Sequence, residues 1–332
     1  MVYTTPYKFS LWTWNKLAIS SLKIRKQLGN RLNKCIIIVS VVQERCDCPK
    51  AGGTKLGRIP GRHLLGVVVP FRDRFEELLE FAPHLHEFLR AQNIDHRIFV
   101  INQVDQYRFN RASLINAGFQ VAVREGCDYV AMHDVDLLPL NPELSYDYPA
   151  EGSLHHLASP EFHPKYHYPT FVGGIIIVRK EDFISVNGMS NKYWGWGLED
   201  DEFYVRVKEA GLNVTRPTNL TTGIENTFRH IHDKVKRKRD MAKCYNQREV
   251  TRRRDRQTGL KDPGFYVRTL KQLVIENTPV SVVNTELRCN RTLTPWCLCS
   301  SSSSSSSHQQ RNTNKQQEVD NLQAKKRVEP VR

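Results

Sequence analysis

From residue 64 onward, short apolar runs alternate with stretches of helical spacing, and the third run ends directly on a pair of carboxylates. Leu64–Phe71 (LLGVVVPF) reads as a buried strand stopped by Pro70, and the apolar residues of 74–92 then recur at helical spacing. Arg97–Asn102 (RIFVIN) reads as a second strand and 110–124 as a second helix. Tyr129–Met132 (YVAM) is a third strand that runs into His133-Asp134-Val135-Asp136, Phe171–Val178 (FVGGIIIV) a further strand, and Glu199–Ala210 a further helix. Strands separated by helices predict an α/β fold with a mainly parallel central sheet covered on both faces. Ligands bind beyond the carboxyl ends of such strands, where Asp134 and Asp136 fall.

The pattern is confined to the middle of the chain. Residues 1–62 lack sustained periodicity, end in Pro/Gly-rich sequence and read as a leader or stem without stable order. Residues 300–332 open with Ser300–Ser307 and continue in Gln, Asn and Lys, the composition of a disordered tail. The folded unit is therefore expected over 63–299. Charge follows the same division. Residues 1–60 hold eleven Lys/Arg against two acids, 234–261 twelve against three, and 300–332 six against three; without them the net charge of +14 becomes −7. A net acidic core excludes a nucleic-acid face there, and the basic runs lack the interleaved aromatics of a stacking platform.

Asp134 and Asp136, on extended backbone, would project to one side roughly 6–7 Å apart, within reach of one metal–diphosphate centre. His230-Ile231-His232 sets two imidazoles at the same alternating spacing, and a carboxylate with imidazoles suits Mn²⁺. In Trp194-Gly195-Trp196-Gly197-Leu198-Glu199-Asp200-Asp201-Glu202, glycines between tryptophans make a hinged aromatic loop able to cover a sugar. Four acids then open a helix. Acids favour a helix N-terminus for electrostatic reasons alone, but one of them is also placed to act as a general base. Pro70-Phe71-Arg72-Asp73-Arg74 ends the first strand with two arginines suited to phosphate or uracil oxygens. Neither G-x-x-x-x-G-K-[ST] nor G-x-G-x-x-G is present. Any nucleotide phosphates must therefore be neutralised by a metal and side chains. Cys289 and Cys297 enclose a short loop that a disulfide would close. With the sequons at Asn213, Asn219 and Asn290, that leans towards a secretory compartment.

At these residues the chain resembles the β-1,4-galactosyltransferases (glycosyltransferase family 7). The matching motifs are Pro70–Arg74, Phe109-Asn-Arg-Ala112, Asp134-Val-Asp136, Phe171-Val-Gly-Gly174, Trp194-Gly-Trp-Gly197 and Glu199-Asp-Asp201. Tyr166-His-Tyr168, Phe228-Arg-His-Ile-His-Asp233 and Thr294-Pro-Trp-Cys297 are similar to the members that act on protein-linked xylose, at the start of the glycosaminoglycan linker. The resemblance implies a GT-A-type fold, UDP-galactose as donor, a xylosylated proteoglycan core protein as acceptor, and no nucleic-acid partner. It implies Mn²⁺ held by Asp136, His230 and His232, with Asp200 as the catalytic base. Pro70, Phe71, Arg72, Arg74, Asp134, Val135, Tyr168, Gly174 and Trp196 would surround the donor. Tyr166, Tyr168, Trp196, Leu198, Asp200 and Asp201 would surround the acceptor.

The resemblance also implies a type II Golgi membrane protein with an N-terminal anchor. Cys35–Val42, eight apolar residues, falls short of the ~20 a spanning helix needs. Two other functions remain open on the residues alone: galactosyl transfer to N-acetylglucosamine, and a metal-dependent phosphodiesterase using the D-x-D and H-x-H pairs. The second leaves the Trp-Gly loop without a purpose.

Overall fold

A computed structural model describes Val39–Val42, residues 62–262 and residues 264–299. The expectations for the rest of 1–62 and for the serine-rich tail lie outside the described residues. In chain order the elements are β1 (Val39–Val42), β2 (Leu64–Phe71), α1 (Phe75–Ala91), β3 (Asp95–Gln103), α2 (Arg111–Arg124) and β4 (Tyr129–His133). Then follow β5 (Leu137–Pro139), β6 (Ser153–His156), β7 (Ile175–Arg179), α3 (Lys180–Ser185), α4 (Glu199–Glu209) and β8 (Asn213–Thr215). The last are α5 (Ile224–Thr227), β9 (Phe228–His230), α6 (Gln247–Val250), β10 (Phe265–Ile275), β11 (Thr278–Leu287) and a 3₁₀ turn, Pro295–Cys297.

A nine-stranded sheet runs in the order β1-β10-β11-β3-β2-β4-β7-β6-β8. Its centre, β11-β3-β2-β4, is parallel as expected, and antiparallel pairs flank it on both sides. Alternation along β2 explains the two covered faces. Leu65, Val67, Val69 and Phe71 pack with Leu78, Phe81, Leu85 and Leu89 of α1, whereas Val68 meets Leu114, Ile115 and Phe119 of α2 on the other face. Asn110 caps α2, its side chain accepting from the Ser113 amide at 2.9 Å.

Three features differ from the sequence reading. The strand expected over Phe171–Val178 begins only at Ile175, and runs antiparallel to β4 with His133 opposite Ile175. Phe171–Gly174 is therefore a loop at the carboxyl edge of β4. The β10–β11 hairpin was not anticipated, because the Glu276-Asn277 pair between its strands lacks the glycine that usually marks a two-residue turn. Its turn, Glu276-Asn277, has φ of +46° and +67°, the two positive values a two-residue type I′ turn requires. Finally Val39–Val42, within the segment read as an unordered leader, pairs antiparallel with β10 at the sheet edge. Among the described residues no helix is long and apolar enough to cross a membrane.

Candidate active site

The carboxyl ends of β2, β3 and β4 open onto one cleft of about 610 Å³, bounded by residues 70–74, 109–111, 134–137, 163–174, 195–201 and 230–243. Every site residue named from the sequence lines it except Phe71, which is 2% exposed and packed beneath α1. Alternation along β2 turns that ring into the core, whereas Pro70, Arg72, Asp73 and Arg74 line the cleft.

Asp134-Val135-Asp136 is a turn rather than extended backbone, with the Leu137 amide donating to the Asp134 carbonyl at 3.4 Å. The two carboxylates therefore serve different partners. Asp134 accepts from Arg111 Nε at 2.8 Å, while Asp136 Oδ2 lies 3.1 Å from His232 Nδ1 and 3.8 Å from His230 Nε2. The register of the small β5–β9 sheet causes the second contact: Leu137 pairs with His230, and the Ile231 amide donates to the Asp136 carbonyl at 2.9 Å. Val135, between them, is buried against the core side of the cleft.

Burial alone would raise the Asp136 carboxyl, but the His232 hydrogen bond and the neighbouring positive charge outweigh it and hold the group down at about 2. Burial keeps His230 neutral down to about 4, so near neutral pH the hydrogen bond from His232, not a charged His230, is the main support. One ionised carboxylate beside neutral imidazole suits a divalent cation of Mn²⁺ type. Among the described residues no three His, Cys, Asp or Glu side chains are already spread into a cage. A cation here would replace the Asp136–imidazole contacts with bonds to itself.

Across the cleft, α4 begins with Glu199, Asp200, Asp201 and Glu202. The acids divide their work. Glu202 turns inward to Arg206 Nε at 2.8 Å and Arg254 Nη1 at 2.7 Å, a buried structural pair. Asp200 lies deep in the cleft with 20% of its side chain open, and accepts from Arg111 Nη1 at 2.9 Å. Burial and the nearby Glu199 and Asp134 carboxylates push the Asp200 carboxyl well up, and Arg111 opposes them. Gly173 makes room for it, since a Cβ there would sit 2.5 Å from Asp200 Oδ2. Gly174 follows at φ +75°, the left-handed conformation that lets its carbonyl accept from the Asp134 amide.

The two tryptophans of the loop also part company. Trp194 is 2% exposed and lies edge-on to Tyr107, whereas Trp196 is 38% exposed and walls the cleft. Only Trp196 is placed to meet a sugar. Tyr166 and Tyr168 rest on Phe171 with ring centroids 5.1 and 5.5 Å apart, forming an opposing aromatic wall. His163 Nδ1 fixes their approach by accepting from the amides of Lys165 and Tyr166 at 3.0 and 3.1 Å. Leu198, with φ +75°, and Asp201 complete the mouth. The two arginines after β2 differ as well. Arg72 braces the carbonyls of Asp105 and Tyr107, at 3.0 and 2.6 Å, while Arg74 Nη1 approaches His232 Nδ1 at 3.5 Å.

The sequence reading did not single out Arg111, Lys165 or His163 as site residues. For Arg111 a signal was present: a cation on the first turn of a helix opposes the helix dipole and needs carboxylates nearby to justify it. Cys289–Cys297 forms as expected, and Cys244–Cys299 adds a second disulfide that ties the end of the 230–244 segment to the C-terminal turn.

Two family descriptions match the sequence, "N-terminal region of glycosyl transferase group 7" over residues 25–148 and "N-terminal domain of galactosyltransferase" over 154–231. Beta-1,4-galactosyltransferase 7 of Drosophila melanogaster is 57% identical over 238 residues, 72% of this chain and 74% of the relative. The xylosylprotein 4-beta-galactosyltransferase of Caenorhabditis elegans is 52% identical over 71% of this chain and 82% of its own length. The crystal structure of the Drosophila catalytic domain in complex with xylobiose superposes with a TM-score of 0.70 at 57% identity, covering 72% of this chain and all of that one. A mutant of the same fly enzyme, solved with manganese, UDP-Gal and xylobiose, matches with the same TM-score. The fold is of the GT-A type, and the chain belongs to the β-1,4-galactosyltransferase family.

Proposed function

We propose that the protein is an inverting, Mn²⁺-dependent transferase that moves galactose from UDP-galactose to the 4-hydroxyl of xylose on proteoglycan core proteins. The observation that carries this reading is one cleft holding two separate centres: Asp136 with His230 and His232 on one wall, and Asp200 under Arg111 on the other. The solved relative that binds manganese, UDP-Gal and xylobiose supports both halves.

In this reading Asp136, His230 and His232 hold the cation, which neutralises charge on the diphosphate as it departs. Trp196 and the Tyr166–Tyr168 wall align the xylose ring so that its 4-hydroxyl faces Asp200. The hydroxyl oxygen attacks the anomeric carbon while its proton passes to the Asp200 carboxylate. The bond from that carbon to the UDP oxygen breaks, its electron pair leaves with UDP, and a single displacement inverts the α-linked donor to a β linkage. Arg111 opposes the upward push of burial on the Asp200 carboxyl and so favours the ionised form that accepts the proton. Burial behind the aromatic walls limits hydrolysis of the donor.

We place this chemistry in the Golgi lumen, and the disulfides Cys244–Cys299 and Cys289–Cys297 suit an oxidising compartment. The test gives the full chain UDP-galactose, Mn²⁺ and either a β-xyloside or N-acetylglucosamine, and reads UDP release and product linkage for the parent and Asp200→Asn. β-1,4-linked product on xylose from the parent alone is expected. Transfer to N-acetylglucosamine instead would keep the transferase and overturn the acceptor.

A further inference from the structure

The basic run after the second histidine is folded against the cleft. Arg237 is anchored bidentately to Glu77 at 2.8 and 3.1 Å, and Lys236 lies 3.6 Å from Glu76. Arg239 is held without a carboxylate: its guanidinium lies 4.6 Å from the centroid of Trp196 and 5.8 Å from that of Tyr166. The Trp196 amide donates to the Asp240 carbonyl at 2.9 Å, and Asp240 in turn accepts from Arg108 at 2.6 and 3.0 Å. The segment is thus pinned along one rim of the acceptor wall. Pinned there, it carries exposed cations that make no ion pair among the described residues, with Lys234 on the outer side and Lys238 and Arg239 at the cleft.

Concentrated positive charge at a rim attracts a negative partner. Xylose is neutral, so the acceptor sugar has no use for it. In the proposed function the donor diphosphate has its own counter-charge in the cation at Asp136, His230 and His232, and Lys234 is exposed outside the cleft lining. What must cross this rim is whatever the xylose is attached to.

We infer that the rim formed by Lys234, Lys238 and Arg239 is a docking surface for the acceptor polypeptide, and that it selects chains with acidic residues flanking the xylosylated serine. This rests on the proposed xylose-directed function. Docking supplies ground-state affinity outside the reacting centre, so it lowers KM for peptide acceptors and leaves kcat on small xylosides unchanged.

The test uses the full chain with Mn²⁺ and UDP-galactose and three acceptors: a β-xyloside with a small neutral aglycone, a xylosylated peptide flanked by Asp and Glu, and the same peptide with Asn and Gln. The acidic peptide is expected to show the lowest KM, with an advantage that shrinks as salt rises. Lys234→Gln/Lys238→Gln is expected to raise KM for the acidic peptide about tenfold, from about threefold per exposed charge. KM for the xyloside and the neutral peptide should stay unchanged, and the xyloside reaction also reports that the variant is folded. Equal KM for acidic and neutral peptides in the parent would overturn the inference while leaving the xylose-directed function intact. So would a variant that changes KM for UDP-galactose instead. No transfer to the xyloside by the parent would overturn the proposed function itself.

Discussion

Arg111 donates from Nη1 to Asp200 at 2.9 Å while its Nε is committed to Asp134 at 2.8 Å, so one guanidinium spans both sides of the cleft. It is the cation hydrogen-bonded within an acidic cluster of Asp134, Glu199, Asp200 and Asp201. The carboxylate of the motif's first aspartate is thereby directed to Arg111 rather than to His230 and His232, and it shares that guanidinium with Asp200.

That arrangement makes the pH profile depend on a residue that need not touch the transferred sugar. Replacing Arg111 with Met leaves burial and neighbouring carboxylates unopposed, so the Asp200 carboxyl rises further. A base works in its ionised form, so raising it moves the acid limb of the kcat–pH profile to higher pH. At neutral pH kcat should fall by about 10²-fold. An acid limb that stays in place in Arg111→Met would remove Arg111 from this role.

Gly173 gives a purely steric test of the same centre. A Cβ at this position would lie 2.5 Å from Asp200 Oδ2 and 2.6 Å from the Phe171 ring, so the ends of both side chains must shift to admit it. Gly173→Ala should displace the carboxylate by several tenths of an ångström and lower kcat by about tenfold or more, with Mn²⁺ affinity unchanged. Equal losses in metal binding and kcat would mean that the whole loop had collapsed.

Much of this was legible in the sequence because it rests on strong local signals. Leu64–Phe71 is an apolar run long enough to be a buried strand and is observed with those limits, and the helix over 110–124 differs only in that Asn110 is its cap. The aspartate, histidine and acidic-helix residues gather in one cleft because each follows a strand or helix end. What was not legible depends on tertiary partners. The spacing of Asp134 and Asp136 suggested a shared face, but the turn between β4 and β5 separates them. No periodicity could say that Trp194 packs in the core and Trp196 in the cleft. The β10–β11 hairpin has a Glu-Asn turn in place of the usual glycine-containing pair, so it lacked the turn signal that announces a hairpin.

The separation of the two aspartates has a direct consequence for metal binding. If Asp136, His230 and His232 hold the cation, Mn²⁺ stabilises the folded protein, by about 2.7 kcal/mol at a hundredfold excess over Kd. The thermal shift with added Mn²⁺ should vanish in Asp136→Ala and His232→Ala. It should persist in Asp134→Asn, whose carboxylate faces Arg111. An Asp134→Asn variant that loses the shift as completely as Asp136→Ala would place both aspartates on the metal.

His156 provides a prediction about stability rather than catalysis. It is fully buried on β6, with Nε2 2.9 Å from the Gly173 carbonyl, and burial lowers its imidazole to about 3. In the unfolded chain the same group takes up a proton near pH 6.5. Between about pH 6.5 and 3 the unfolded state therefore binds the extra proton, and stability falls as pH falls through that window; above it the contribution is complete. At pH 5 the loss from this one residue is about 2 kcal/mol. Buried acids such as Asp200, whose carboxyls are raised, act in the opposite direction, so the total pH dependence does not isolate His156. The difference between parent and His156→Gln does, because glutamine retains a donor for the Gly173 carbonyl and cannot titrate. Denaturant midpoints measured from pH 7.5 to 5 should fall less steeply for the variant, by the equivalent of close to one proton. Parallel slopes would mean that His156 is already charged in the folded protein, which its buried contact with a carbonyl on one nitrogen alone would then have to support.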